Sequence, residues 1–419
     1  MRPISRVESG TFLVVSAVVG VLTQMPARAD VIIEWNAKAD ELAVEQRTPP
    51  IDHARWLAML HVAMFEAVNA VQPKYAPYRL TLKSDPKASR EAAAASAGHD
   101  VMAARYPSLK PQLDATLAAM LAGIPDGQAK SDGIEVGRKA ATGIIALRAD
   151  DGIGMRETYR PQTTPGVYVP TVIPVASTIG AVTPWVMTSG SQFRPGPPPA
   201  LTSQTWTTDI DEIREVGAID STTRTAEQTT IARFWFAVGP LTYNPIVRQV
   251  AVAKHMDLLD CARLFALVSM AGFDAQVAVF DAKYAYNFWR PMTAIRNADQ
   301  TGNSATPRDA TWLPLGTTPM HPEYPCAHCI VSTAVVSTIQ GVVGDDVGEL
   351  SMTSATAPGV TRKWKRLRDY TDEIALARIY AGFHYRNSTV VGHEMGRKIG
   401  DLATSTCLRL TVASSAGAR

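Results

Sequence analysis

Lys283 and Arg290 lie seven residues apart in Lys283-Tyr-Ala-Tyr-Asn-Phe-Trp-Arg290-Pro291. That is about two helical turns, so both can project from one face of a helix that Pro291 then ends. A second segment, His321-Pro-Glu-Tyr-Pro-Cys-Ala-His-Cys329, is a proline-controlled loop feeding a helix start. Its small residues before His328 let backbone N–H groups approach an anion at the helix N-terminus. In a third, Arg378-Ile-Tyr-Ala-Gly-Phe-His384, the arginine ends one helix and His384 follows in the turn. Taken singly, a Lys or Arg is usually solvated and a lone His usually packs in a core. Together the three segments supply cations, helix-start amides and imidazoles, a set that suits a phosphate-shaped anion because guanidinium forks match its oxygens.

The segments resemble the three-part signature of vanadium-dependent haloperoxidases and type 2 phosphatidic acid phosphatases: Lys-x6-Arg-Pro, Pro-Ser-Gly-His, then Ser-Arg-x5-His. Here they read Lys283-x6-Arg290-Pro291, Pro325-Cys326-Ala327-His328 and Ala377-Arg378-x5-His384, in the same order and spacing. The resemblance covers about Trp206 to Leu410. Val31 to Asn36, Met64 to Ala70 and a proline-rich stretch are also similar to soluble bacterial members of the haloperoxidase branch.

The resemblance implies an all-α fold of two helical bundles that binds vanadate, or alternatively holds no cofactor and acts on a phosphate group. It implies that His384 ligates vanadium or, in a phosphatase, is the phosphorylated nucleophile, and that His328 is the general acid–base. Lys283, Arg290 and Arg378 would hold equatorial oxygens, helped by the amide of Ala327 and by position 326. His321 stands where haloperoxidases vary between Phe and His; with Trp289 it is a candidate lining of a halide or substrate pocket, its alternative being a loop histidine capped by nearby backbone. The chain departs from the signature in three places. Cys326 replaces a serine hydroxyl with a weak thiol donor, lost altogether in a disulfide. Ala377 replaces a serine, and neutral Ser388 stands where an acidic residue often supports the histidine. Phe288-Trp289-Arg290-Pro291 resembles soluble haloperoxidases more than membrane lipid phosphatases. The expected reaction is oxidation of halide by hydrogen peroxide; a phosphoester-hydrolysing acid phosphatase and a catalytically weak oxyanion-binding protein are the alternatives.

Positioning these groups falls to helices. Apolar residues recur at helical spacing over Pro50–Tyr75, and alanine-rich stretches at 89–104, 109–122 and 133–149 predict more helices. Later helices are expected over 223–238, 244–284, 329–342, 361–380 and 389–407. Between Tyr159 and Pro199 prolines interrupt any regular element, while Tyr159, Tyr168, Trp185 and Phe193 argue for a packed belt joining two halves, 30–200 and 201–419.

Arg2 and Arg6, the apolar run Thr11–Leu22 and Ala27-Arg28-Ala29 predict a signal peptide, residues 1–29, and a secreted or periplasmic protein. Its removal takes away three arginines and one glutamate, so the formal charge goes from +2 to 0. Bulk charge therefore attracts no nucleic acid. The best spanning candidate, Leu264–Phe280, carries Asp274, so no membrane span is expected in the mature chain. Cys261, Cys326, Cys329 and Cys407 allow three complete pairings, and the spacing chooses none. The expected partners are small molecules; composition says nothing of oligomeric state.

Overall fold

The computed structural model describes residues 30–170 and 172–411. The expected signal peptide, residues 1–29, and the last residues lie outside them. Among the described residues the regular structure is thirteen α-helices, four short 3-10 turns and one two-stranded sheet. The fold is mostly helical, as the periodicity predicts.

The first half packs α1 (Asp30–Glu45), α2 (Pro50–Val71), α3 (Arg90–Arg105), α4 (Lys110–Ala122) and α5 (Gln128–Leu147). Pro50 opens α2 at the position where its missing N–H costs nothing, and Ser89 caps α3 by accepting from the Ala92 amide. Alanines on α3 allow close approach: a Cβ added at Gly137 of α5 would stand 2.3 Å from the Ala93 carbonyl oxygen. The second half adds α6 (Gln204–Val216), α7 (Ala226–Phe234), α8 (Asn244–Ala253), α9 (Leu258–Tyr286), α10 (Pro291–Arg296), α11 (Ala327–Val343), α12 (Leu367–Tyr380) and α13 (Arg386–Thr406). Helix α9 is the shared axle, packing against α2 on one side and against α11 and α13 on the other. It is the one helix among the described residues long and apolar enough to cross a bilayer, and its side chains are spent instead on the protein core.

Three expected elements differ. The single helix over 244–284 is two, because His255 takes a left-handed conformation (φ 48°) and Asp257 then caps α9 by accepting from the Asp260 amide. The expected helix over 361–380 begins only at Leu367. The strands β1 (Leu350–Ser354) and β2 (Ala357–Trp364) pair antiparallel in front of it, with Leu350 opposite Trp364. Burial of Ala357 and Trp364 at the ends of β2 was masked by polar residues between them. The 223–238 helix shortens to α7, where Thr225 and Gln228 form a capping box.

The proline belt is irregular and tied down. Asp274, fully buried on α9, accepts backbone N–H bonds from Trp185 (2.6 Å), Val186 (2.8 Å) and Met187 (2.9 Å). Gly180 is forced by contact, since a Cβ there would sit 2.5 Å from the Asp281 Cα. Burial raises the Asp274 pKa to about 6, the three N–H bonds opposing that rise. A carboxyl whose pKa is raised on folding stabilises most below its unfolded value and loses that contribution as pH climbs through its folded value. Stability is therefore expected to decline between pH 3.8 and about 6 from this group. Asp274→Asn should remove that segment of the pH profile. It should also cost about 1–3 kcal/mol at neutral pH, because an NH2 then faces a backbone N–H. Urea denaturation of both proteins across this range checks it; parallel profiles would refute the assignment.

Candidate active site

Helix ends and turns deliver the signature side chains to one place. Helix α9 stops at Tyr286 because Asn287 turns left-handed (φ 48°), so Pro291 does not end that helix but opens α10. Lys283 and Arg290 consequently do not share a helix face. Lys283 sits in the last turn of α9, and Arg290 is the residue preceding α10. Helix α11 brings His328 in its first turn. The α12–α13 turn brings Arg378 and His384, with Gly382 left-handed (φ 77°) and packed so tightly that a Cβ would stand 2.6 Å from the Gly217 oxygen.

His384 is held from behind by a group the sequence reading assigned no role. Its Nδ1 donates to Glu323 Oε1 at 2.7 Å, and the same oxygen accepts from the Tyr385 amide at 3.1 Å. With the proton on Nδ1, Nε2 carries the lone pair, which accepts from Arg290 Nη1 at 3.3 Å; a guest ligated there would take the place of that bond. Burial, reinforced by Arg290 and Lys283, holds the His384 pKa well below the ordinary value, which keeps the ring neutral. The expectation that Ser388 leaves the histidine without acidic support is corrected: the carboxylate comes from Glu323, 61 residues earlier. Burial raises Glu323 to about 7 against the pull of Lys283 and Arg290.

Arg290 also donates through Nε to the His321 carbonyl (2.8 Å), through Nη1 to the Phe383 carbonyl (3.0 Å) and through Nη2 to His321 Nδ1 (2.9 Å). Arg378 donates from Nη1 to His328 Nε2 at 2.9 Å, while its Nε and Nη2 are buried with no partner among the described residues. Burial lowers Arg290 to about 10 and Arg378 to about 9. Lys283 is fully buried, and its ammonium donates to the carbonyls of Pro322 (3.0 Å), Glu323 (2.7 Å) and Pro325 (2.5 Å). It therefore holds the loop that carries Glu323. Burial, then Arg290, pulls the Lys283 pKa well below the ordinary lysine value, while Glu323 and the three carbonyls favour the charged form. Toward an anion it offers that charge, not a hydrogen bond.

His328 Nε2 stands between the Arg378 donor and the Ala237 carbonyl, 3.1 Å away. Neutral, that nitrogen accepts from the guanidinium; protonated, it donates to the carbonyl. Burial, then Arg378, depresses its pKa to about 3, so the resting ring is a base.

Two expected contributors are elsewhere. Cys326 caps α11, and its sulfur is bonded to that of Cys329, so it has no S–H to donate. The bridge spans one helical turn and brackets His328. Trp289 is packed in a separate aromatic cluster, its ring stacked on Trp206 with centroids 6.1 Å apart. It does not line the cavity. That cavity, about 690 Å³, opens between the two halves; Ala327, His328, Arg378, His384 and His321 lie on its wall. His321 lies on the cavity wall, and its Nδ1 is engaged by Arg290 and lies 3.1 Å from the Pro322 carbonyl. His61 and Glu66, which could be imagined as metal ligands, bond instead to Ser269 and to the amides of Arg79 and Leu80.

Residues 263–412 match the family model of the VCPO second helical-bundle domain. This segment has the vanadium haloperoxidase fold. The fold extends over nearly the whole chain: a bacterial vanadium-dependent iodoperoxidase superposes with a TM-score of 0.80 at 23% identity, covering 93% of this chain and 99% of that one. A holo-type bacterial vanadium-dependent chloroperoxidase superposes with a TM-score of 0.72 at 18% identity, covering 91% and 98%. Vanadium chloroperoxidase of Curvularia inaequalis is 26% identical over 87% of this chain and 80% of its own length. Within the haloperoxidase bundle, α9, α11 and α13 are thus the scaffold, and the cation cluster sits where their ends converge.

Proposed function

We propose that the protein is a vanadate-dependent haloperoxidase that oxidises halide with hydrogen peroxide. The observation that carries the reading is the two unpartnered buried nitrogens of Arg378, set in a cluster of three buried cations whose near anion is Glu323 alone among the described residues. Unsatisfied buried donors cost about 1–3 kcal/mol each. A tetrahedral oxyanion satisfies them and balances the charge, so these residues fit vanadate. Arg378 and Arg290 would hold its oxygens, the Ala327 amide at the start of α11 would add a donor, and His384 Nε2 would ligate the metal.

Bound vanadate would supply a Lewis-acidic centre that activates peroxide toward halide. The chain's own residues do the rest. Glu323 fixes the His384 tautomer and ring angle. Lys283 clamps the loop that positions Glu323. His328 takes a proton at Nε2 and gives it back, with the Ala237 carbonyl stabilising the charged ring. Phe383 and the apolar cavity wall restrict water around the cluster. Export past Ala29 belongs to the same proposal, because an oxidising compartment preserves the Cys326–Cys329 bridge.

Metal-free protein soaked with orthovanadate should oxidise bromide in the presence of peroxide, read by bromination of phenol red. Hydrolysis of p-nitrophenyl phosphate without vanadate, and no bromide oxidation with it, would overturn the reading in favour of a phosphatase.

The disulfide leads to one further expectation. In the Cys326→Ser/Cys329→Ala double variant, a hydroxyl returns to the cap position, where serine is also a good helix cap. Vanadate affinity should rise about tenfold, the low end for a hydrogen bond to a charged group. Titration of the metal-free protein checks this. Unchanged affinity with unchanged stability would show that position 326 does not reach the anion.

A further inference from the structure

Arg378 is a buried cation with no acid beside it. Among the described residues no carboxylate pairs with it, and the charged neighbour that acts on it is the like charge of Arg290. Its Nη1 donates to the His328 ring at 2.9 Å, while Nε and Nη2 are buried without a partner. A buried charge is costly unless something compensates it. The remaining contact is aromatic: the guanidinium carbon stands over the Phe383 ring, 5.2 Å from its centroid. The face of an aromatic ring carries negative potential, so it attracts a cation within about 6 Å, and more strongly where water is excluded.

The ring is itself fixed. Phe383 is 5% exposed and stacks on Phe236, with centroids 5.7 Å apart and planes 29° from parallel. Gly316 leaves just enough room for the pair, since a Cβ there would stand 2.7 Å from Phe236 Cζ and 2.9 Å from Phe383 Cζ. The main chain adds to this. The Phe383 amide donates to the Arg378 carbonyl at 3.0 Å, and the Phe383 carbonyl accepts from Arg290 Nη1 at 3.0 Å. One residue thus touches both arginines, the first through its ring and the second through its backbone. A leucine would keep both backbone bonds but has no π face. A carboxylate in its place would also hold Arg378, but it would occupy guanidinium donors and offset a positive charge.

We propose that Phe383 is a positioning residue of the oxyanion site, whose ring face holds the Arg378 guanidinium in place of a carboxylate and so leaves Nε and Nη2 for the guest. This role rests on the oxyanion reading of the same cluster and not on which reaction follows there.

Orthovanadate and orthophosphate, each titrated into the metal-free full chain, test it, because the ring acts on the guanidinium and not on the metal. Phe383→Leu should weaken both anions about tenfold, within the range for a desolvated contact between a cation and a ring. Lost packing could give the same fall. The deciding series therefore replaces Phe383 by phenylalanines carrying one, two and three ring fluorines, which drain the negative face with little change of shape. Affinity should drop stepwise with each fluorine toward the Phe383→Leu value, at an unchanged unfolding temperature. Affinity independent of fluorine number, in a chain whose wild type binds either anion, would overturn the role of Phe383 and leave the oxyanion site standing. Failure of the wild type to bind either anion would sink both. A stepwise fall in a protein that does not oxidise bromide would uphold Phe383 and sink only the haloperoxidase reading.

Discussion

His384→Ala is expected to abolish vanadate-dependent bromide oxidation and to weaken orthovanadate binding by roughly a hundredfold or more, the upper end of what even outer-sphere changes cost a metal site. Of the three cavity histidines it is the one whose second nitrogen is fixed by a carboxylate, and its Nε2 carries the longest of the three arginine contacts, 3.3 Å against 2.9 Å at His321 Nδ1 and at His328 Nε2. The fold should survive, because the Tyr385 amide still donates to Glu323 and the α12 turn is held by backbone bonds from Phe383 and His384 to the Arg378 carbonyl. Binding is read by titration of the metal-free protein and folding by thermal unfolding. Retained tight binding in a folded variant would remove His384 from the proposed metal site.

The second large effect is at Glu323. Glu323→Ala strips two buried N–H groups, His384 Nδ1 and the Tyr385 amide, of their acceptor. Each orphaned donor costs about 1–3 kcal/mol, so a loss of roughly 2–6 kcal/mol in stability is expected, together with a roughly 10–100-fold loss of vanadate affinity. Glu323→Gln separates hydrogen bonding from charge. Burial already lifts the carboxyl to about 7, so a neutral amide is tolerated there, and its oxygen can still accept from His384. That variant should keep its fold while losing turnover, since the imidazole then lacks the negative charge that makes it a better donor to a metal. Denaturation curves and kcat measured side by side decide it. Equal kcat in wild type and Glu323→Gln would mean the carboxylate serves only as a spacer.

Much of this protein was readable along the chain because helices are local. Ser89 caps the helix that follows it, and apolar spacing marks α2, α11 and α13 to within a few residues. The hairpin at 350–364 and the break at His255 were not readable that way. One depends on burial at strand ends against Phe234 and Trp235, the other on a single left-handed residue.

The same division runs through the site. The signature order named the cations and imidazoles, because their types and spacing are properties of short segments. What each donor does was decided only in three dimensions. Lys283 spends all its protons on carbonyls of a loop forty residues away, Arg378 keeps two nitrogens unpartnered, Cys326 is bonded to Cys329, and Trp289 turns into an aromatic cluster. Glu323 acquires meaning only from what stands opposite it, the His384 ring and the Tyr385 amide. A hydrogen bond is settled by distances between segments remote in sequence, and no periodicity within either segment carries that information.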